Sequence, residues 1–322
     1  MQAPANDIIP AKLRGVIAAE YGFETSIPQF LPKGEDAFVY RAEAADGKLF
    51  FIRLEARSHM LENVCAIREA FGLDWVVTAL RTRTGRLAAP YLHYTVAVFP
   101  FIEGRTAYES GVTPEELAKA AQAMAGLHGS KLSIELPRER FANPFANTIR
   151  ALQELPANTE AARLFRDTRE SVNALFERVE VLGASLRAQD IAMVLTHGDP
   201  NLANWIIDPE GRLHLADWGD LGYGPPERDL FAFTPDRFAE FLRSYISAGG
   251  TRRLDARIFE FYFDRWRLQD IAEYGERLFK SDQPDEIRHA WTGLRRYLPL
   301  REDTRPQFLA NVQEALAAIA HC

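Results

Sequence analysis

Three polar residues in one stretch, Asp199, Asn204 and Asp217, carry the strongest chemical signal in the chain. From Val194 to Trp218 the sequence reads as an apolar run, a polar loop, and two short apolar runs around Asp208-Pro209-Glu210-Gly211. Pro and Gly supply turn dihedrals between β-forming segments, so the last part predicts a hairpin. A loop of Pro209 to Arg212 pairs Asp208 with Leu213 and sets Asn204 opposite Asp217. Facing residues on an antiparallel pair have Cβ atoms roughly 5 Å apart. An amide oxygen and a carboxylate side by side suit a hard cation such as Mg²⁺, which takes one or two protein ligands plus substrate phosphates. Asp199 lies just before them, and Pro200 biases it away from helix. A carboxylate there accepts a proton from, or orients, a substrate hydroxyl. Asp, four residues, Asn, then a hairpin ending in Asp is the division of labour of phosphoryl transfer, in which positioning and charge neutralisation dominate. Asp208 and Asp220 read instead as turn residues.

The elements that must position these residues are legible in outline. Pro10 to Gly22 has apolar residues at helical spacing, with Gly22 as the stop. Two strands joined at Ala45-Asp46-Gly47 follow, ending in Leu49 to Leu54. Gly34, just before the first, could open a loop whose N–H groups face phosphate, although a plain surface turn explains it as well. Met60 to Leu73 reads as a helix, then Trp75 to Leu80 and Tyr91 to Phe101 as strands separated by a turn at Arg81 to Gly85. Together these predict a small lobe of antiparallel sheet with one packed helix. Thr113-Pro114-Glu115-Glu116 is a capping box that starts a helix running to His128, which reads as a packing or hydrogen-bonding residue. Residues 137–190 and 237 onward read as mainly helical. The fold class expected is therefore α+β, with residues 1–103 as a small N-terminal lobe and residues 104–322 as a larger, mostly helical lobe.

With 322 residues and 47% hydrophobic content the chain can bury sizeable cores. A net charge of -7 argues against a general basic surface for nucleic acid and is compatible with a cationic small substrate. Two cysteines, Cys65 and Cys322, make neither a disulfide framework nor a metal site. No signal peptide or membrane span is expected, so the default is a cytoplasmic protein without membrane partners.

The segment His197-Gly198-Asp199 through Asn204 resembles the His-Gly-Asp-x-x-x-x-Asn motif of the aminoglycoside phosphotransferase and choline kinase superfamily. Ala216 to Gly219 resembles that family's metal-binding segment, with Trp218 where many kinases have Phe, and Gly222 to Leu230 resembles its continuation. The resemblance runs along nearly the whole chain. It implies a two-lobed protein-kinase-like fold that uses ATP and Mg²⁺. Asp199 is then the catalytic base or hydroxyl-orienting group, Asn204 and Asp217 metal ligands, and Asp229 structural. His197 supports the loop. Gly34 to Tyr40 resembles the loop over the ATP phosphates, and Phe50 to Leu54 the strand that bears a phosphate-pairing lysine. This chain has Arg53 there, and arginine is not equivalent to lysine in size or geometry. Glu62, or alternatively Glu69, matches the helix glutamate that orients the basic residue. Phe99 to Ile102 resembles the adenine hinge, with the Pro100 carbonyl and the Ile102 N–H as its contacts.

Several segments are most similar to the spectinomycin phosphotransferase branch, among them Phe50 to Leu54, Glu227 to Leu230 and Arg267 to Gly275. On the last, Asp270 and Glu273, with Trp266 and Tyr274 nearby, could form an acidic and aromatic face for a cationic aminocyclitol, or be ordinary helix-surface acids with core aromatics. The expected function is ATP-dependent phosphorylation of a small-molecule hydroxyl, with antibiotic resistance as the context. Choline-like or homoserine-like metabolites and protein serine or threonine are alternative acceptors. A nucleotide-binding pseudokinase module is a reading of a different class, motivated by Arg53.

Overall fold

The structure is a computed structural model that describes residues 5–32, 37–56, 60–156, 158–234, 237–301 and 304–320. Gly34 lies outside the described residues. The fold is α+β, and the chain divides into two compact units. One comprises Met1–Val112, Leu132–Ile134 and Leu202–Asp220, and the other comprises Thr113–Lys131, Glu135–Asn201 and Leu221–Cys322.

The first unit is built on a five-stranded antiparallel sheet of β1 (Gln29–Leu31), β2 (Phe38–Glu43), β3 (Leu49–Glu55), β4 (Ala89–Tyr91) and β5 (Tyr94–Pro100), in the order β1-β2-β3-β5-β4. The Asp-Gly turn forms as expected: Glu43 pairs with Leu49 and Gly47 takes a left-handed φ of 82°. Strand alternation splits β3 between two faces. Phe50, Ile52 and Leu54 point into a core shared with Leu13 and Ile17 of α1 (Pro10–Tyr21). Phe51, Arg53 and Glu55 point to the other face, where Ala97 packs with Cys65 of α2 (Leu61–Phe71). The sheet therefore has a helix on each face rather than the single packed helix expected.

Strand placement after α2 also departs from expectation. Trp75 to Leu80 is not a strand but a loop with an isolated parallel bridge from Val76 to Leu215. Besides β3, β5 pairs with β4, through a two-residue turn at Leu92 and His93. Leu92 sits there with φ 55°, a left-handed conformation that glycine or asparagine would have announced. Beyond β5 the unit adds β6 (Arg105–Thr106) and α3 (Ala107–Ser110), then, after a long excursion of the chain, β8 (Trp205–Ile207) and β9 (Leu213–Leu215). β6 pairs with β8, and Gly104 allows it, because a Cβ there would lie 2.3 Å from the Ile207 carbonyl oxygen.

The second unit holds α4 (Pro114–His128), α5 (Ala146–Gln153), α6 (Glu160–Asp167), α7 (Arg169–Arg187), α8 (Glu227–Leu230), α9 (Phe238–Ser247), α10 (Ala256–Lys280), α11 (Pro284–Tyr297) and α12 (Thr304–Ala320). Its strands are β7 (Val194–Thr196) and β10 (Gly222–Gly224), which pair antiparallel. α10 is the central helix: it packs against α5, α7, α11 and α12, and its Phe261, Leu268 and Ile271 are fully buried. No helix among the described residues is long and apolar enough to cross a membrane.

Two local features of this unit have measurable consequences. The capping box forms as read: Thr113 Oγ1 accepts from the Glu116 N–H at 3.2 Å, and Glu116 Oε2 accepts from the Thr113 N–H at 2.8 Å. Thr113→Ala should cost about 1 kcal/mol of unfolding free energy, read from urea titration. Glu227, 2% exposed, accepts the N–H of Asp255, the N-cap of α10, at 2.7 Å. Burial lifts its carboxyl from 4.5 to about 7, with Asp255 adding and backbone N–H groups opposing. A carboxyl that titrates higher in the folded state stabilises fully below its unfolded pKa, and that contribution is lost as pH rises through the folded one. Stability should fall between about pH 4.5 and pH 7, and Glu227→Gln should flatten that fall. Urea midpoints across this range check it; identical pH slopes in both proteins would remove Glu227 as the cause.

Candidate active site

The hairpin closes one residue tighter than the sequence count. Trp205 pairs with Leu215 and Ile207 with Leu213, so Asn204 faces Ala216, not Asp217. The Ala216 N–H donates to the Asn204 carbonyl at 3.0 Å. Gly211 is the reason: with φ 75° it closes a three-residue loop, in which Asp208 and Arg212 pair by backbone and the Gly211 N–H returns to the Asp208 carbonyl. Asp208 is the turn residue expected. Its Oδ1 accepts from the Glu210 and Arg212 N–H groups, and its Oδ2 pairs with Arg212 and His214. Burial would raise its pKa, but His214 and Arg212 outweigh this and hold it far below the usual carboxylate range.

Asp217 comes directly after the ladder, at a left-handed φ of 60°. Aspartate tolerates that region better than most residues. Trp218 pins the turn: its Nε1 donates to the Leu215 carbonyl at 2.9 Å, and its ring lies 6.0 Å from that of Trp75. Trp75 in turn stacks on Trp205 and accepts the Leu215 N–H through its carbonyl. The loop from Trp75 to Leu80 is thus the support on which the hairpin rests.

Arg53 meets Asp217. Its Nη1 donates to Asp217 Oδ1 at 3.0 Å, across 164 residues of sequence. Its Nε lies 3.1 Å from Glu55 Oε2, an ionic contact without hydrogen-bond alignment. Burial lowers the guanidinium pKa, and Asp217 and Glu55 more than reverse that. Glu62 is not brought to Arg53: its carboxylate lies 3.6 Å from Arg81, and Glu69 also pairs with Arg81, at 3.3 Å. Glu55 is the neighbour of Arg53 that residue spacing offers and the sequence reading leaves out, since a two-residue spacing on a strand places both on one face.

At the end of β5 the Phe101 N–H donates to the Leu49 carbonyl, and Pro100 pairs with Phe50. Alternation turns the Pro100 carbonyl away from β3, to the side where the Val98 carbonyl accepts from Leu80. A missing N–H costs no ladder bond at that position. Ile102, two residues on, lies beyond the end of the strand.

In the second unit, Asp199 lies in the loop that follows β7. Both its carboxylate oxygens accept from Asn201 Nδ2 at 2.9 Å, and its N–H donates to His197 Nδ1 at 3.2 Å. The loop hangs on Asp229, which is fully buried. Asp229 accepts the His197 and Gly198 N–H groups, each at 2.8 Å, and pairs with His128 Nε2 at 3.1 Å. His128 Nδ1 meets Tyr245 Oη at 2.9 Å, so His128 is a hydrogen-bonding residue as read. Burial would raise the Asp229 pKa; His128, His197 and the Gly198 N–H overcome this and lower it.

The α10 residues are half-buried. Trp266 packs on Phe231, Glu273 accepts from Gln269 at 2.9 Å, and Tyr274 meets His289 edge-on. Asp270 lies by Tyr297 of α11. Burial raises the Tyr297 phenol, Asp270 and Tyr274 add to this, and Trp266 opposes it. Tyr297 had no sequence signal, because it reaches this face from another helix.

Among the described residues, no group of three or more His, Cys, Asp or Glu is placed to hold a metal ion. The donors at the hairpin are one amide and one half-exposed carboxylate, and that set fits Mg²⁺, which is completed by water and phosphate.

A sequence profile described as the phosphotransferase enzyme family matches residues 29–276. Protein StrN of Streptomyces griseus is 28% identical over 297 residues, covering 84% of this chain and 86% of StrN. Among solved structures, spectinomycin phosphotransferase APH(9)-Ia in complex with ADP and spectinomycin aligns with a TM-score of 0.76 at 19% identity, over 90% of this chain and 94% of that one. A choline/ethanolamine kinase family protein from Mesorhizobium loti aligns with a TM-score of 0.57 at 21% identity, over 94% and 99%.

Proposed function

The chain belongs to the phosphotransferase enzyme family, and from that premise we propose that it transfers the terminal phosphoryl group of ATP to a hydroxyl of a small molecule, an aminoglycoside or aminocyclitol such as spectinomycin. The observation that carries this is the family match over 29–276, which spans Arg53, Asp199, Asn204, Asp217 and the α10 face. The likeness to a structure holding ADP and spectinomycin supports the choice of nucleotide and first acceptor. Residues 1–103 are then the nucleotide-binding lobe, and residues 104–322 the catalytic and acceptor-binding lobe.

The roles follow from the local chemistry. Asp199, held by Asn201 and by the backbone anchored on Asp229, orients the acceptor hydroxyl and takes its proton as the O–P bond forms. Asn204 and Asp217 would hold Mg²⁺, which supplies charge neutralisation on the phosphates when bound. Arg53 offers further guanidinium donors to phosphate oxygens. The Pro100 carbonyl and the Ile102 N–H take the adenine edge. Trp266, Asp270, Glu273 and Tyr274 give the acceptor an acidic and aromatic face, suited to ammonium groups.

Asp199→Asn should lower kcat about a thousandfold while leaving nucleotide affinity within about twofold. Unchanged turnover would take Asp199 out of this role. Incubation with ATP, Mg²⁺ and a panel of spectinomycin, aminoglycosides, choline and homoserine should add one phosphate to spectinomycin, seen as a mass gain. Phosphorylation of a metabolite and no antibiotic would refute the acceptor assignment and keep the phosphotransferase.

A further inference from the structure

A guanidinium in place of an ammonium changes what can hold it. A lysine ammonium is a compact point charge, whereas the arginine fork presents donors in different directions in one plane. On β3, Arg53 uses that fork to touch two carboxylates: Nη1 meets Asp217 and Nε meets Glu55. Glu55 lies two residues on and shares the sheet face. Its side chain is 17% exposed and that of Arg53 27%, so the pair is sheltered from solvent screening more than a surface ion pair. Thr95 Oγ1 donates to the Glu55 carbonyl at 3.2 Å, fixing the strand end from β5. On α2, by contrast, Glu62 and Glu69 are both turned to Arg81, which also donates to the Gly85 carbonyl.

From these contacts we propose that Glu55 is the positioning residue of Arg53. Glu55 aims the guanidinium so that nucleotide phosphate and Asp217 are served together, a task that no glutamate of α2 performs. Glu55 touches neither nucleotide nor acceptor; it acts through Arg53. The inference rests on the proposed nucleotide-dependent reaction and deepens it.

The test is the dissociation constant of ADP with Mg²⁺, measured into the millimolar range by displacement of a fluorescent nucleotide. Removing the charge with Glu55→Gln should weaken binding about tenfold in the protein with Arg53. In an Arg53→Met background the same change should matter less than about twofold, because a residue that acts through another has nothing left to act on. Glu62→Gln should weaken binding less than Glu55→Gln. An equal loss from Glu55→Gln in both backgrounds means a general structural effect and overturns the inference, as does no loss at all or a larger loss from Glu62→Gln. If Arg53→Met abolishes binding, the ranking of the two glutamine variants decides. Absence of nucleotide binding by the unaltered protein overturns this inference together with the reading it rests on; binding indifferent to Glu55 overturns this inference alone.

Discussion

A carboxylate without access to water holds the Asp199 loop in place. Asp229 is fully buried, and a bare ion there would be strongly unfavourable. It is stable because three donors converge on it: the N–H groups of His197 and Gly198, and the His128 imidazole. The same bonds fix the two peptides that precede Asp199. Stability of the buried charge and placement of the Asp199 carboxylate are therefore one requirement. Helix α4 brings His128, and α9 brings Tyr245 to hold that imidazole in turn. The loop inherits its geometry from helix packing far from it in sequence.

The hairpin solves the opposite problem. Its geometry is local, so most of it could be read from residue order. Asp208, Pro209 and Gly211 announced the turn. The register differs by one residue from the four-residue loop that residue order suggests, because Gly211 adopts a left-handed φ and closes a three-residue loop. That shift puts Asp217 beyond the ladder instead of inside it. Asp217 is consequently free of strand pairing and can turn at φ 60° toward Arg53, under the restraint of Trp218 and Trp75.

Legibility elsewhere follows the same division. The Thr113 capping box, the Gly22 stop and the Asp46-Gly47 turn use residues whose chemistry fits one conformation, and each was read correctly. The turn at Leu92 and His93 has no such residue, so Tyr91 to Phe101 reads as a single run and its break between β4 and β5 has no signal. The loop from Trp75 to Leu80 carries apolar residues for another purpose: Trp75 supports the hairpin and Val76 bridges to Leu215. Burial demands apolar residues in a strand and in a supporting loop alike, and composition does not separate the two.

The proposed acceptor face shows why reaction type is easier to read than substrate. Phosphoryl transfer needs a carboxylate, an amide and a second carboxylate in a short stretch, and their spacing survives in the sequence. Acceptor recognition needs a surface. On α10 the side chains proposed to define it are paired with residues from other elements: Asp270 with Tyr297, Tyr274 with His289, Trp266 with Phe231. Half-buried positions of this kind can change identity with little effect on the core formed by Phe261, Leu268 and Ile271. One fold can therefore keep its phosphoryl chemistry while its acceptor changes, and the acceptor must be found from the assembled face and not from a motif.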